Sequence, residues 1–179
     1  MIETFASVLP RGAQVLVAGF ADPDGSDLDR MLRLGLDARG FDPDEAKVSR
    51  AAARLGAPRA WRAELFFARL DRESWDGAWV NNSLTQLAPD ACRRAMAILF
   101  QALRPGGHLC VIFEEPEGGA ESGPGGYRSD DFASLVRQHG FTILGTGRNA
   151  SAPRQVGLLA RRLSPASPAG QPPAPHGNA

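Results

Sequence analysis

Gly40-Phe41-Asp42-Pro43 ends a short apolar stretch on a single acid, and about twenty residues earlier Val15-Leu16-Val17-Ala18 runs into Gly19. A strand ending in a glycine turn, then a helix, then a strand ending in an acid, is the layout of a nucleoside-binding βαβ unit. The turn lets a ligand approach the backbone, and the acid accepts hydrogen bonds from a ribose diol. Gly19 and Asp42 therefore point to an adenosine-bearing ligand before any chemistry is considered. The turn between them, Asp22-Pro23-Asp24-Gly25-Ser26-Asp27, is acidic. Its carboxylates repel a diphosphate even at a helix N-terminus, which otherwise attracts anions. Nicotinamide and flavin dinucleotides and nucleoside triphosphates are disfavoured on that ground. A calcium loop fits poorly, because Pro23 intrudes and no glutamate stands at the required end.

Working outward, strand and helix signals alternate. Gln14–Ala18 is a β run. Ser26 is placed to cap a helix from about Asp27 to Leu34, followed by Gly35. Asp37–Asp42 is the second strand, and Pro43 opens a helix to about Leu55, with Asp44 and Glu45 at its N-terminus and Gly56 at its end. Ala60–Leu65 is a weaker third strand and Gly77–Asn81 the fourth. Pro89 and Asp90 start a helix that Arg104-Pro105-Gly106-Gly107 stops, before an apolar fifth strand, His108–Phe113. Ser129 caps a last helix, ended by Gly140, and Phe141–Gly145 and Gln155–Ala160 follow with no helix between them. Parallel neighbours need a crossover, so the alternation implies parallel pairing and the last two runs an antiparallel hairpin. The expected fold is α/β: a Rossmann-like, doubly wound, mostly parallel sheet that closes on one antiparallel edge strand. Ligands bind such sheets at the carboxyl ends of the strands, near the switch point.

The 179 residues suit one domain, read as residues 1–163, with a disordered Pro/Ala-rich tail at 164–179. Basic and acidic residues balance at 20 each, so no strong field points to nucleic acid or a membrane surface. Nineteen of those 20 basic residues are arginine and Lys47 is alone, which reads as composition bias. Cys92 and Cys110 have neither disulfide-framework nor metal-ligand spacing, so no metal is expected. No apolar run approaches the ~20 residues of a membrane span and no secretion signal opens the chain, so a cytoplasmic protein is expected.

Asp42-Pro43 before an alanine-rich helix, Trp75-Asp76-Gly77-Ala78-Trp79-Val80-Asn81-Asn82-Ser83-Leu84, Leu103-Arg104-Pro105-Gly106-Gly107, and Asp131-Phe132 through Gly140-Phe141 resemble the class I S-adenosylmethionine-dependent methyltransferases. The resemblance covers roughly residues 10–162. It implies S-adenosylmethionine as cofactor and methyl transfer as activity, with Gly19 and Ala21 under the amino-acid portion, Asp42 on the ribose, Glu64 near the adenine and Asn81 where cofactor and substrate meet. It names no universal catalytic residue. The family's first glycine motif, acid-x-Gly-x-Gly-x-Gly, is degenerate here: its positions are Val17, Gly19, Ala21 and Pro23. That departure motivates a second reading, a methyltransferase-fold protein acting as a non-catalytic binding or partner subunit. The acceptor, small molecule or protein, stays open, as do a protein partner and a homo-oligomer.

Other chemistry-bearing residues have structural readings beside functional ones. Asn82 and Ser83 follow the fourth strand and suit a local turn. Glu114 and Glu115 follow the fifth strand, where a carboxylate can orient a nucleophile or act as a base. The glycine-rich loop 116–128 suits a lid over the substrate, with Tyr127 lining the pocket or anchoring the loop. His108 and His139 read as structural, the latter at a helix end. Trp61, Trp75 and Trp79 are core candidates.

Overall fold

The computed structural model of the protein describes residues 1–116 and 127–164. The expected lid and the expected disordered tail, apart from their flanking residues, lie outside the described residues. The strands are β1 (Gln14–Ala18), β2 (Asp37–Asp42), β3 (Ala60–Arg62), β4 (Trp75–Asn81), β5 (Leu103–Glu114), β6 (Phe141–Asn149) and β7 (Ala152–Arg162). The helices are α1 (Ile2–Ser7), α2 (Ser26–Arg33), α3 (Glu45–Leu55), α4 (Pro89–Ala102) and α5 (Ser129–Gln138).

β1 shows why the chain folds in three layers. Successive strand side chains point to opposite faces. Leu16 and Ala18 join a core with Met96 and Leu99 of α4 and Phe132 and Val136 of α5. Val15 and Val17 join a second core with Phe5 of α1 and Leu28 and Met31 of α2. A strand covered on both faces reads as one apolar run, as β1 does.

The sheet order is β3-β2-β1-β4-β5-β7-β6. β1 pairs in parallel with β2 on one side and β4 on the other, so the winding reverses there. β7 alone runs against the rest and forms the expected hairpin with β6. It is not the edge strand, however: it lies between β5 and β6. Val156–Ala160 of β7 is buried throughout, whereas most of β6 is exposed. An apolar run on both faces belongs inside a sheet, and the more polar hairpin arm takes the edge.

Four local expectations are corrected. β3 stops at Arg62, and Leu65–Phe67 turns into a 3₁₀ helix. β5 begins at Leu103, with Trp75 opposite Leu103 and Gly77 opposite His108, so the Arg104–Gly107 segment bulges within the strand instead of ending before it. Pro43 precedes α3, whose cap is Asp44, accepting from Ala46 N–H and Lys47 N–H. Ser26 and Ser129 are first helical residues, not caps. The carboxylates that take their N–H groups are Asp22, at 3.1 Å, and Glu115, at 3.1 Å. A carboxylate accepts such bonds more strongly than a hydroxyl, so it displaces serine from the capping role.

Cys92 and Cys110 are buried and unpaired. Burial raises both thiols, Cys110 up to about 12. Among the described residues no helix is long and apolar enough to cross a membrane, and no cluster of three His, Cys, Asp or Glu side chains is placed to hold a metal ion.

Candidate functional site

At the carboxyl ends of β1, β2 and β4, where the winding reverses, a cavity of about 490 Å³ opens. Gly19, Ala21, Asp42, Glu64 and Asn81 all line it, together with Lys47 and Ser83. Five positions chosen on sequence grounds thus come together on one surface.

Gly19 ends β1 with φ +81°, and its N–H donates to Phe41 O at 2.9 Å. A Cβ there would lie 1.9 Å from Ser83 Oγ and 3.0 Å from Asn81 O. Glycine is required twice over, by the left-handed backbone and by the hydroxyl packed against it. Ser83 Oγ bridges Ala18 O at 3.1 Å and Asn81 O at 3.0 Å, tying the end of β1 to the turn after β4. Asn82 in that turn also has positive φ, 52°, a conformation that asparagine tolerates better than most residues.

Asp42 is almost wholly buried at the end of β2. Its Oδ2 accepts Phe20 N–H at 2.8 Å and its Oδ1 accepts Asp44 N–H at 2.8 Å. Lys47, in the first turn of α3, brings its Nζ to 3.6 Å from Oδ2 and donates to Phe20 O at 3.0 Å. Gly40 makes this possible, because a Cβ there would stand 2.7 Å from the Phe20 ring and 2.8 Å from Val17 O. Leu65, Phe66 and Leu87 add apolar wall suited to a planar ring. Glu64 is exposed at the cavity rim.

Asn81 stands between this cavity and a second one of about 580 Å³, which also shares Ala21. Asn81 Nδ2 donates to Asp27 Oδ2 at 3.1 Å, and Trp79 Nε1 donates to the same oxygen at 2.9 Å. Trp79 is a core residue as expected, but with its polar edge committed to α2. Trp61 and Trp75 pack partly buried against the other core.

The remaining candidates lie outside this cavity. Arg148 and Ser129 hold the Glu115 carboxyl down to about 2, so it stays ionised and makes a poor general base near neutrality. Glu114 is exposed at the end of β5. Tyr127 is buried edge-on against Phe132 at 5.5 Å and anchors its segment to the core; burial pushes its hydroxyl up to about 12. His139 Nδ1 lies 2.9 Å from Leu135 O at the end of α5. His108 is partly buried in β5, and desolvation lowers its pKa. Neither histidine lines the cavity. The acidic turn is partly tied down locally: Asp22 accepts Asp24 N–H, Ser26 N–H and the Ser26 hydroxyl, and Asp24 lies 3.8 Å from Arg50.

A mostly parallel sheet in this order, with its antiparallel hairpin at the C-terminal end, is the class I methyltransferase fold. No protein-family model and no curated protein matches the chain. Solved structures do. An S-adenosylmethionine-dependent methyltransferase from Methanosarcina mazei aligns with TM-score 0.77 at 13% identity, over 90% of this chain and 98% of that one. The 1,6-didemethyltoxoflavin-N1-methyltransferase of Burkholderia thailandensis, solved with 1,6-didemethyltoxoflavin and S-adenosylhomocysteine bound, aligns with TM-score 0.72 at 23% identity, over 91% and 78%. The cyclase SpnF aligns with TM-score 0.72 at 18% identity, over 92% and 80%. At these identities the likeness establishes the fold alone, and a cyclase among methyltransferases shows why function has to be argued from the site.

Proposed function

We propose that this chain is an S-adenosylmethionine-dependent methyltransferase. One observation carries the reading: Gly19, Ala21, Asp42, Glu64 and Asn81 line a single cavity at the switch point of the sheet. The residues fit an adenosyl ligand. Gly19 and Ala21 supply a small-residue wall, Asp42 a carboxylate for ribose hydroxyls, Leu65, Phe66 and Leu87 an apolar slot for the base, and Glu64 an acceptor near its edge. S-adenosylmethionine supplies a methyl group already activated on a sulfonium. What remains for the chain is to align the methyl with its acceptor and exclude water. Asp42 orients the nucleoside, held by the Phe20 and Asp44 N–H groups. Asn81 sets the boundary across which the acceptor is presented. No side chain is assigned as a base.

The second reading, a non-catalytic partner subunit of the same fold, draws on one feature of the site. Lys47 lies against Asp42, where a ribose would bind. Calorimetric titration with S-adenosylmethionine and S-adenosylhomocysteine, with NADH as control, separates the two. Micromolar binding of the adenosyl ligands without NADH binding is the expected result. No binding at millimolar concentration to folded protein would overturn the methyltransferase reading in favour of the subunit.

A further inference from the structure

We propose that two copies of this chain pair along β6, antiparallel about a two-fold axis at Gly145, and join their sheets into one. The sheet ends on β3 at one side and on β6 at the other. An open edge strand presents a row of unpaired N–H and C=O groups, and proteins blunt such edges by shortness, charge, proline or a bulge. β3 is blunted, because it has three residues and ends on Arg62. β6 is far less so. It has nine residues, and Phe141-Thr142-Ile143-Leu144-Gly145-Thr146-Gly147 carries neither charge nor proline. A single bulge between Ile143 and Gly145 interrupts its ladder with β7. Leu144 stands there 49% exposed, and Leu163, 54% exposed, lines the same groove.

A second copy suits this edge better than the chain's own remaining segments do. Residues 165–179 hold five prolines, each without the N–H that a ladder needs. Residues 117–126 hold five glycines and no β-branched residue, a composition that strands avoid. A two-fold axis sets the strand against itself, so a charge close to the axis meets its like. The uncharged stretch is what such pairing requires. With Gly145 on the axis, Leu144 of each copy meets Thr146 of the other. Nothing stands within 4 Å of the point where a Gly145 side chain would begin, so the second backbone has room to approach. Arg148, the one charge in β6, then falls opposite Thr142. The two Arg148 positions are about 20 Å apart along the strands, farther than the Debye length at physiological salt. Arg148 and Asn149 also line the second cavity, so the pairing braces that cavity's wall.

Sedimentation equilibrium of the full chain at micromolar concentrations tests the pairing. Wild-type protein should sediment at twice the monomer mass. Thr146 is exposed and lies one residue from the axis, so Thr146→Lys and Thr146→Glu bring like charges together without disturbing the core. Each variant alone should be a monomer with the circular dichroism spectrum of wild type. An equimolar mixture of the two should recover the dimer, because lysine then faces glutamate. A wild-type monomer at every concentration, a dimer indifferent to both substitutions, or a mixture that stays monomeric would overturn the proposal. Growth past the dimer into longer assemblies would overturn it too, since a two-fold pair uses up both β6 edges.

Discussion

Asp42→Asn changes one oxygen to an amide nitrogen and almost nothing in shape. In the native site both carboxylate oxygens accept backbone N–H groups at 2.8 Å, from Phe20 and from Asp44. The side chain is only 6% exposed, so water replaces a lost partner only in part. Asparagine has one acceptor oxygen. Whichever way it turns, either Phe20 N–H or Asp44 N–H faces a donor. A hydrogen bond to a charged group contributes about 1.5–3 kcal/mol. The Lys47 ion pair at 3.6 Å, with its ammonium partly in solvent, adds less than about 1 kcal/mol. The expected loss is about 2–3 kcal/mol, or about 4–12 °C in Tm for a domain of this size. Affinity for S-adenosylhomocysteine should fall at least about tenfold in the same protein. Thermal unfolding by circular dichroism and calorimetric titration read the two effects separately. A Tm within about 1 °C of wild type would refute the buried-acceptor geometry. A lowered Tm with unchanged affinity would refute the ribose role and leave Asp42 a structural acid.

Gly40→Ala should destabilise by about 1–3 kcal/mol in urea unfolding, because the new methyl meets the Phe20 ring at 2.7 Å and the Val17 carbonyl at 2.8 Å, and the latter is central-strand backbone. A cost below about 0.5 kcal/mol would contradict that packing. Lys47→Met frees the Asp42 oxygen it faces and should tighten S-adenosylhomocysteine binding severalfold in calorimetry; weaker binding would mean the ammonium serves the ligand. Glu115, held down to about 2 by Arg148 and Ser129, favours the folded state in its ionised form. Its contribution is full above the ordinary value of 4.5 and fades as pH falls from there through about 2. Arg148 is about half exposed, so solvent screening keeps the effect small. Glu115→Gln should therefore lower stability at pH 7 and by progressively less in acid, and a pH-independent difference would refute the ion pair's role.

The alternation of strands and helices was legible because it is local. β1, β2, β4 and α4 carry apolar runs bounded by Gly, Pro and Asp, and strand ends read this way place Gly19, Asp42 and Asn81 on one edge of the sheet. What was not legible depends on partners distant in sequence. The place of β7 inside the sheet follows from competition between two hairpin arms for the apolar interior. The acids that take the Ser26 and Ser129 N–H groups lie four and 14 residues upstream, beyond the reach of a rule that looks at the capping position itself. Asp27 finds Trp79 across 52 residues, and neither residue announces the other. Lys47 was visible only as the single lysine; its spacing of five from Asp42 gains meaning once Pro43 and Asp44 fold α3 back over the strand end.

Lys47, more than the reduced glycine motif, decides between an active site and a relic. A carboxylate has about four lone-pair sites. At Asp42 two are taken by backbone N–H groups, and Lys47 stands beside a third. The backbone bonds favour a working site, because they fix the acid's orientation before any ligand arrives, and preorganised acceptors lose little on binding. The ammonium is the competitor, since a ribose diol brings two donors to the capacity that remains. Its bond to Phe20 O tethers it beside the acid, so admitting the diol costs that one hydrogen bond and a swing of the flexible stem away from Oδ2. A site closed by packing would require the core to move. This one is closed, if at all, by a single partly exposed side chain, which is the weaker barrier and the reason the methyltransferase reading is preferred.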